Sequence, residues 1–421
     1  MPPMVGRPES PASDERPALL FLTQRLPFPP NKGEKIRYHH VLRHLSSRWR
    51  VYLGCFVDDA EDWGHTEAVR ALVTDLRAVG LDPRSAKIRC TRGALTGRPF
   101  SVEYFASAGL QSWVDHVLEN VRPQIALIGS SSMGQYVLNA RGPRPPRVVT
   151  DFVDVDSEKW RAYAQATRGP MKLVYARERR ALLAWDRKLG AASAAGVFVT
   201  QAEVDLFARI APELAPKLHA VENGVDAATF APENSGATPY AGLGGAPVFT
   251  FTGHMDYRPN VDAVVHFAHE VLPRIRRSVP EARFCVVGAN PVAEVTALGA
   301  LSGVQVTGRV PDVRPWVGHA TVCVAPLLIA RGLQNKVLEA MACARPVVSS
   351  PQAREGIDCE PGRDLLVADG PEAFAAACLS LLQAPERARA LGDAARALVL
   401  ARYSWAARLS RLDTLLHPEA R

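Results

Sequence analysis

Short apolar runs alternate with longer, polar-faced stretches along this chain, the pattern of buried parallel strands separated by helices. ALLFLT at residues 18–23 predicts the first strand, followed by the loop Pro27-Phe-Pro-Pro-Asn-Lys-Gly33 and a helix over about 34–47. Further strands are predicted at 50–57, 124–128, 147–150 and 195–200, with helical stretches between them. Glu222-Asn-Gly-Val-Asp226 reads as a turn leading out of this first domain, residues 18–230. Residues 231–246 are rich in Gly, Pro and Ser and have linker composition. A second series, residues 247–402, opens with a strand at 247–253. In the helix that follows, Val261, Val264, Val265, Ala268, Val271, Leu272 and Ile275 form an apolar stripe. Asn260 is its expected N-cap, and Pro273 marks a kink or the last turn. Strands are then expected at 283–288, 304–307, 321–325, 346–349 and 364–368, and a last helix within 403–421. Strand and helix in regular alternation give an α/β protein of two doubly wound domains, with a cleft between them as the expected place for chemistry.

Composition narrows the class. The 421 residues are 47% hydrophobic and 22% charged, ordinary for a globular protein with a large core. No run approaches the ~20 apolar residues of a membrane span. Residues 1–17 are polar and proline-rich, without the apolar centre of a signal peptide, and are expected to form a disordered tail. Seven scattered cysteines with no C-x-x-C pair point to reduced thiols in the cytoplasm and away from structural zinc. The net charge of +7 is concentrated between residues 141 and 190, where twelve Lys/Arg face six Asp/Glu. That excess suits an acidic partner such as anionic lipid headgroups or a phosphorylated substrate. No nucleic-acid-binding motif accompanies it, so nucleic acid is not an expected partner.

Three stretches carry candidate chemistry. Residues 331–350, RGLQNKVLEAMACARPVVSS, read as loop, helix and buried strand. Val337, Leu338 and Met341 make one helix face, and Asn335, Lys336 and Glu339 gather on the other. A polar trio at a helix start, with Arg331 and Gly332 just ahead, suits an anionic ligand; a solvated Lys–Glu pair is the plainer alternative. Asp151 and Asp154 follow a strand directly and are candidates to face a reacting group, while Asp156 or Ser157 can cap the next helix. Gly33 offers close backbone approach to a phosphate, with Lys35 and Arg37 as nearby charge; alternatively Gly33 only makes the turn and Arg37 is solvated. Gly242-Leu-Gly-Gly precedes a strand, where a dinucleotide-binding loop must follow one, and is set aside.

The ordered set Asn223-Gly-Val-Asp226, Thr252-Gly253, Val287-Gly288, Gly308-Arg-Val310 and Lys336-x-x-Glu339-Ala-Met-Ala…Pro346-Val-Val resembles the retaining GT-B glycosyltransferases of the large group 1 (family 4) type. RGLQNKVLEAMA, VDVDSEKW and TGHMDYRPNVDAV resemble more narrowly the sugar transferases associated with exosortase (PEP-CTERM) and exopolysaccharide gene clusters. The resemblance implies two Rossmann-like domains facing each other across a cleft, with the final helix crossing back to the first. It implies transfer of a sugar, with retention and without metal or cofactor, from a UDP- or GDP-sugar to a lipid-linked glycan. Such an enzyme is expected in the cytoplasm at the inner membrane face, with peripheral contact to anionic lipid. Carried over by position, Gly33, Arg258, Arg331 and Lys336 are the expected diphosphate ligands. Glu339 would hold the ribose, and Arg309 and Val310 would border the base. The catalytic carboxylate is sought in Asp151 and Asp154. The chain departs from the family where Arg331 replaces a sugar-binding glutamate; an arginine grips phosphate or a uronate carboxylate instead. Two further readings are a nucleotide-sugar epimerase on the same fold and a non-catalytic sugar-nucleotide-binding homologue.

Overall fold

The computed structural model describes residues 14–31, 33–330 and 333–417. These residues form two compact units, one running from residue 14 to 223 with 409–417 and the other from 224 to 408. The division at Asn223 falls ahead of the expected linker, and residues 231–246 pack with the second unit, where Tyr240 is buried against Trp316.

In the first unit, seven strands form one sheet: β1 (Ala18–Thr23), β2 (Arg50–Val57), β3 (Asp75–Gly80), β4 (Ile125–Gly129), β5 (Arg147–Val153), β6 (Ala195–Phe198) and β7 (Leu218–Ala220). Their spatial order is 3-2-1-4-5-6-7 and every pairing is parallel. All six residues of β1 are buried, because helices cover both faces of a central parallel strand. The edge strand β3 went unpredicted. Its sequence DLRAVG buries only Leu76 fully and carries little of the apolar run that marks a central strand.

β5 runs past its expected end at Thr150 to Val153. Between Asp151 and Val153 its register against β6 shifts, and Val153 has φ +69°. A β-branched residue in the left-handed region is a true outlier, and here it turns the chain out of the sheet. The next helix, Asp156–Ala166, begins at Asp156 without a side-chain cap, so neither Asp156 nor Ser157 has the expected capping role.

In the second unit, β8 (Val248–Thr252), β9 (Arg283–Val287), β10 (Val304–Gly308), β11 (Val322–Ala325), β12 (Val347–Ser349) and β13 (Leu366–Val367) form a parallel sheet in the order 10-9-8-11-12-13. This repeats the 3-2-1-4-5-6 order of the first sheet. Both units are Rossmann-like, as the strand–helix alternation required. The helix after β8 starts at Arg258 with Tyr257 at the N-cap position, so Asn260 lies in the first turn and not at the cap. Its continuation passes through a π-helical turn, Phe267–Val271, before Leu272–Ser278, where Pro273 stands near the start. All seven cysteines are unbridged. Among the described residues no helix is long and apolar enough to cross a membrane.

Candidate functional site

In the second sheet the strand order reverses between β8 and β11, and a crevice forms at the carboxyl ends of strands at such a point. An open pocket of about 610 Å³ lies there. Its walls are the loops after β8, β9 and β10 and the start of the helix Asn335–Ala342. That helix is amphipathic as predicted. Val337, Leu338 and Met341 are buried in the core, whereas Asn335, Lys336 and Glu339 line the pocket. It ends where Ala344 turns left-handed (φ +52°) and the Arg345 N–H donates back to the Ala340 carbonyl at 3.0 Å.

Two glycines make the pocket floor possible. A Cβ on Gly288 would stand 1.7 Å from the Gly253 carbonyl oxygen, so no side chain fits there. The loops after β8 and β9 are thus in backbone contact, joined by a hydrogen bond from Gly253 N–H to the Val287 carbonyl (3.1 Å). A Cβ on Gly253 would lie 2.6 Å from Asn260 Nδ2 and 3.3 Å from Lys336 Nζ. Its absence leaves room for those two side chains to meet.

Lys336 is the electrostatic centre of the pocket. Its ammonium donates to Asn260 Oδ1 and sits 4.2 Å from the centroid of the Phe251 ring. The amide of Asn260 is oriented in turn by donating to the His254 carbonyl at 2.9 Å. Burial pulls Lys336 down to about 8, partly opposed by the neighbouring Glu339. Burial pushes Glu339 up to about 7, partly opposed by Lys336. Both shifts have the same cause: each charge is largely removed from water without a full complement of partners. An anion arriving beside Lys336 would supply the missing partner. The helix also enters the pocket by its N-terminus, with no side-chain cap from Gln334. A site with a half-buried ammonium, a helix N-terminus and a carboxylate one turn on can hold a phosphorylated ligand at one end and a diol at the other.

The remaining expected residues are placed unevenly. Arg309 and Val310 border the pocket, Arg309 exposed and Val310 also packed toward Tyr240 and Trp316. Arg258 is not among the lining residues. It lies on the surface, paired with Asp262 (2.5 Å) and Glu294 (3.2 Å), and His254 lines the wall instead. Arg331 lies outside the described residues. Asn260 was expected only as a cap; its value as the Lys336 partner was invisible because the two meet through the tertiary fold.

In the first unit, Gly33 opens the helix Gly33–Ser46 and a Cβ there would meet nothing within 4 Å. Lys35 and Arg37 are not free charges. Lys35 is buried on Asp62 at 2.8 Å, and Arg37 is buried on Asp151 at 2.7 Å, also donating to the Val221 carbonyl and Asn223 Oδ1. Asp151 therefore serves as an internal counter-ion, its other oxygen accepting from Val153 N–H. Asp154 is partly exposed and bonded to Lys159 at 2.8 Å. Among the described residues no three His, Cys, Asp or Glu are grouped to hold a metal ion.

Residues 246–384, which contain the whole pocket, match the family model of the group 1 glycosyl transferases. The chain is 30% identical over 211 residues to a GDP-mannose-dependent alpha-(1-6)-phosphatidylinositol monomannoside mannosyltransferase of Mycolicibacterium smegmatis, covering 46% of this chain and 54% of that one. It is 30% identical over 219 residues to the alpha-maltose-1-phosphate synthase of the same organism, covering 47% and 56%. The chain thus spans about half the length of the curated relatives it matches. Among solved structures, Anabaena HepE in complex with UDP superposes with a TM-score of 0.59 at 14% identity, over 95% of this chain and 100% of that one. At that identity the likeness speaks for the fold alone, and the fold is GT-B, with its two Rossmann-like α/β domains.

Proposed function

We propose that this protein is a glycosyltransferase that moves a sugar from a nucleoside-diphosphate sugar to a lipid-linked glycan in the assembly of exopolysaccharide or another cell-surface polysaccharide. The observation that carries this reading is the Lys336–Glu339 pair: two perturbed charges one helical turn apart, at the strand-order reversal of the second sheet. Lys336 and the helix N-terminus receive the diphosphate, Glu339 accepts from the ribose hydroxyls, and Arg309 and Val310 flank the base. His254 stands where Arg258 was expected to act. Arg331 is proposed as a further phosphate cation on its chemistry and its nearness to Lys336 in sequence.

The reaction in this proposal breaks the bond from the anomeric carbon to the diphosphate and forms one to the acceptor oxygen on the same face, with retention. The acceptor proton passes to the departing phosphate oxygen. Such a step needs stabilisation of the leaving group more than a strong base, and the cationic pocket supplies it. Asp154, less committed than Asp151, is the carboxylate proposed to help orient the acceptor.

The name of the mycobacterial relative includes GDP-mannose, and the HepE structure holds UDP, so both nucleotides belong in the test. Calorimetry with UDP and GDP, followed by a panel of their sugars offered with lipid-linked oligosaccharide, should give binding and then transfer. Binding with neither hydrolysis nor transfer on any acceptor would leave a sugar-nucleotide-binding protein and overturn the enzyme reading.

A further inference from the structure

Between β5 and β6 the first unit carries a helical hairpin, Asp156–Ala166 and Pro170–Ala192. Trp160, Tyr163 and Tyr175 hold the two helices together, their ring centroids 5.6 to 6.0 Å apart. At the turn beyond this clasp the hairpin exposes apolar side chains: Leu173 is 73% exposed, Met171 46% and Val174 37%, while Tyr163 of the clasp is itself 55% exposed. A folded hairpin gains nothing from leaving them in water. Between Glu158 and Glu178 the chain carries five Lys/Arg and no Asp or Glu. Lys159, Arg161 and Arg177 are taken up by acidic partners, which leaves Arg168 and Lys172, both exposed, beside the apolar tip.

We propose that the tip of this hairpin, centred on Leu173, docks on an anionic phospholipid membrane. Apolar and aromatic side chains enter the interface between headgroups and acyl chains, while the flanking cations meet the negative surface. The charge argues for this occupant over a second copy of the chain, which would bring like-charged tips together. The hairpin leaves the sheet from the carboxyl end of β5, the edge where ligands of doubly wound sheets bind. The proposal deepens the transferase reading, on which its purpose rests, by naming the surface that would meet a lipid-linked acceptor.

Co-sedimentation of the full chain with vesicles tests it. The protein should bind mixed phosphatidylcholine–phosphatidylglycerol vesicles, less so as salt is raised, and not pure phosphatidylcholine. Met171→Asp with Leu173→Asp should lower the bound fraction about tenfold or more by removing the apolar insertion. Arg168→Glu with Lys172→Glu should abolish the preference for phosphatidylglycerol. Both variants should keep the thermal shift given by UDP or GDP. The proposal falls if the wild type ignores anionic vesicles, if the variants bind as well as it does, or if light scattering shows that the Asp pair dissolves a dimer. Vesicle binding without any nucleotide shift would instead sink the transferase reading and leave the docking surface standing.

Discussion

Lys336 and Asn260 lie 76 residues apart in the chain, yet the lysine's ammonium donates to the asparagine's side-chain oxygen beside Gly253, the glycine that follows β8. This contact draws the helix after β11 and the helix after β8 onto one point, and it holds a cation ready in a pocket that depresses its charge.

Replacing Lys336 by Met should separate stability from function. Donor nucleotide binding should weaken by about 2–3 kcal/mol, the scale of a charge-assisted contact. The melting temperature without ligand should stay level or rise, because a cation disfavoured by burial has been removed. Calorimetry and thermal unfolding read the two effects; a stability loss with intact affinity would move the phosphate site elsewhere.

Ligand-free stability should dip in the pH range between the two shifted groups. Glu339 is raised from 4.5 to about 7, so the folded state holds more protons and stability falls as pH climbs through that window. Lys336 is lowered from 10.5 to about 8, so the unfolded state holds more protons above 8 and stability recovers with rising pH. In Glu339→Gln the acid-side fall should shrink while the alkaline rise remains. Melting temperatures across pH for both proteins decide it, and identical curves would remove Glu339 as the cause.

Asp151→Asn should act on the fold before it acts on chemistry. It leaves the buried Arg37 guanidinium without its counter-ion, a loss of roughly 3–5 kcal/mol in urea unfolding. Were Asp151 a reacting group with little structural weight, turnover would collapse at unchanged stability.

The glycines should divide sharply. Gly288→Ala drives a methyl group into the Gly253 carbonyl and should yield an unstable or insoluble protein. Gly33→Ala meets open space at the start of a helix and should fold with equal or slightly higher stability, by up to ~1 kcal/mol. If Gly33→Ala also transfers sugar normally, close phosphate approach at Gly33 is ruled out.

Arg258→Ala removes two surface ion pairs and should change donor affinity by less than ~0.5 kcal/mol. A large loss would return Arg258 to the phosphate site.

The sequence by itself determined the central strands of the two parallel sheets, because a strand buried on both faces must be written as a continuous apolar run, whereas the edge strand β3 carries no such run. β1, for instance, falls at its expected residues. It also determined the helix carrying Lys336 and Glu339, since local periodicity places both on one face. What only the tertiary structure decided is which charges are free. Lys35, Arg37 and Lys336 look alike in the sequence. The first two are neutralised by Asp62 and Asp151, carboxylates far along the chain, whereas Lys336 finds a neutral amide and an open pocket. Nothing local could separate them, because a buried charge is defined by partners that only folding brings within hydrogen-bond reach.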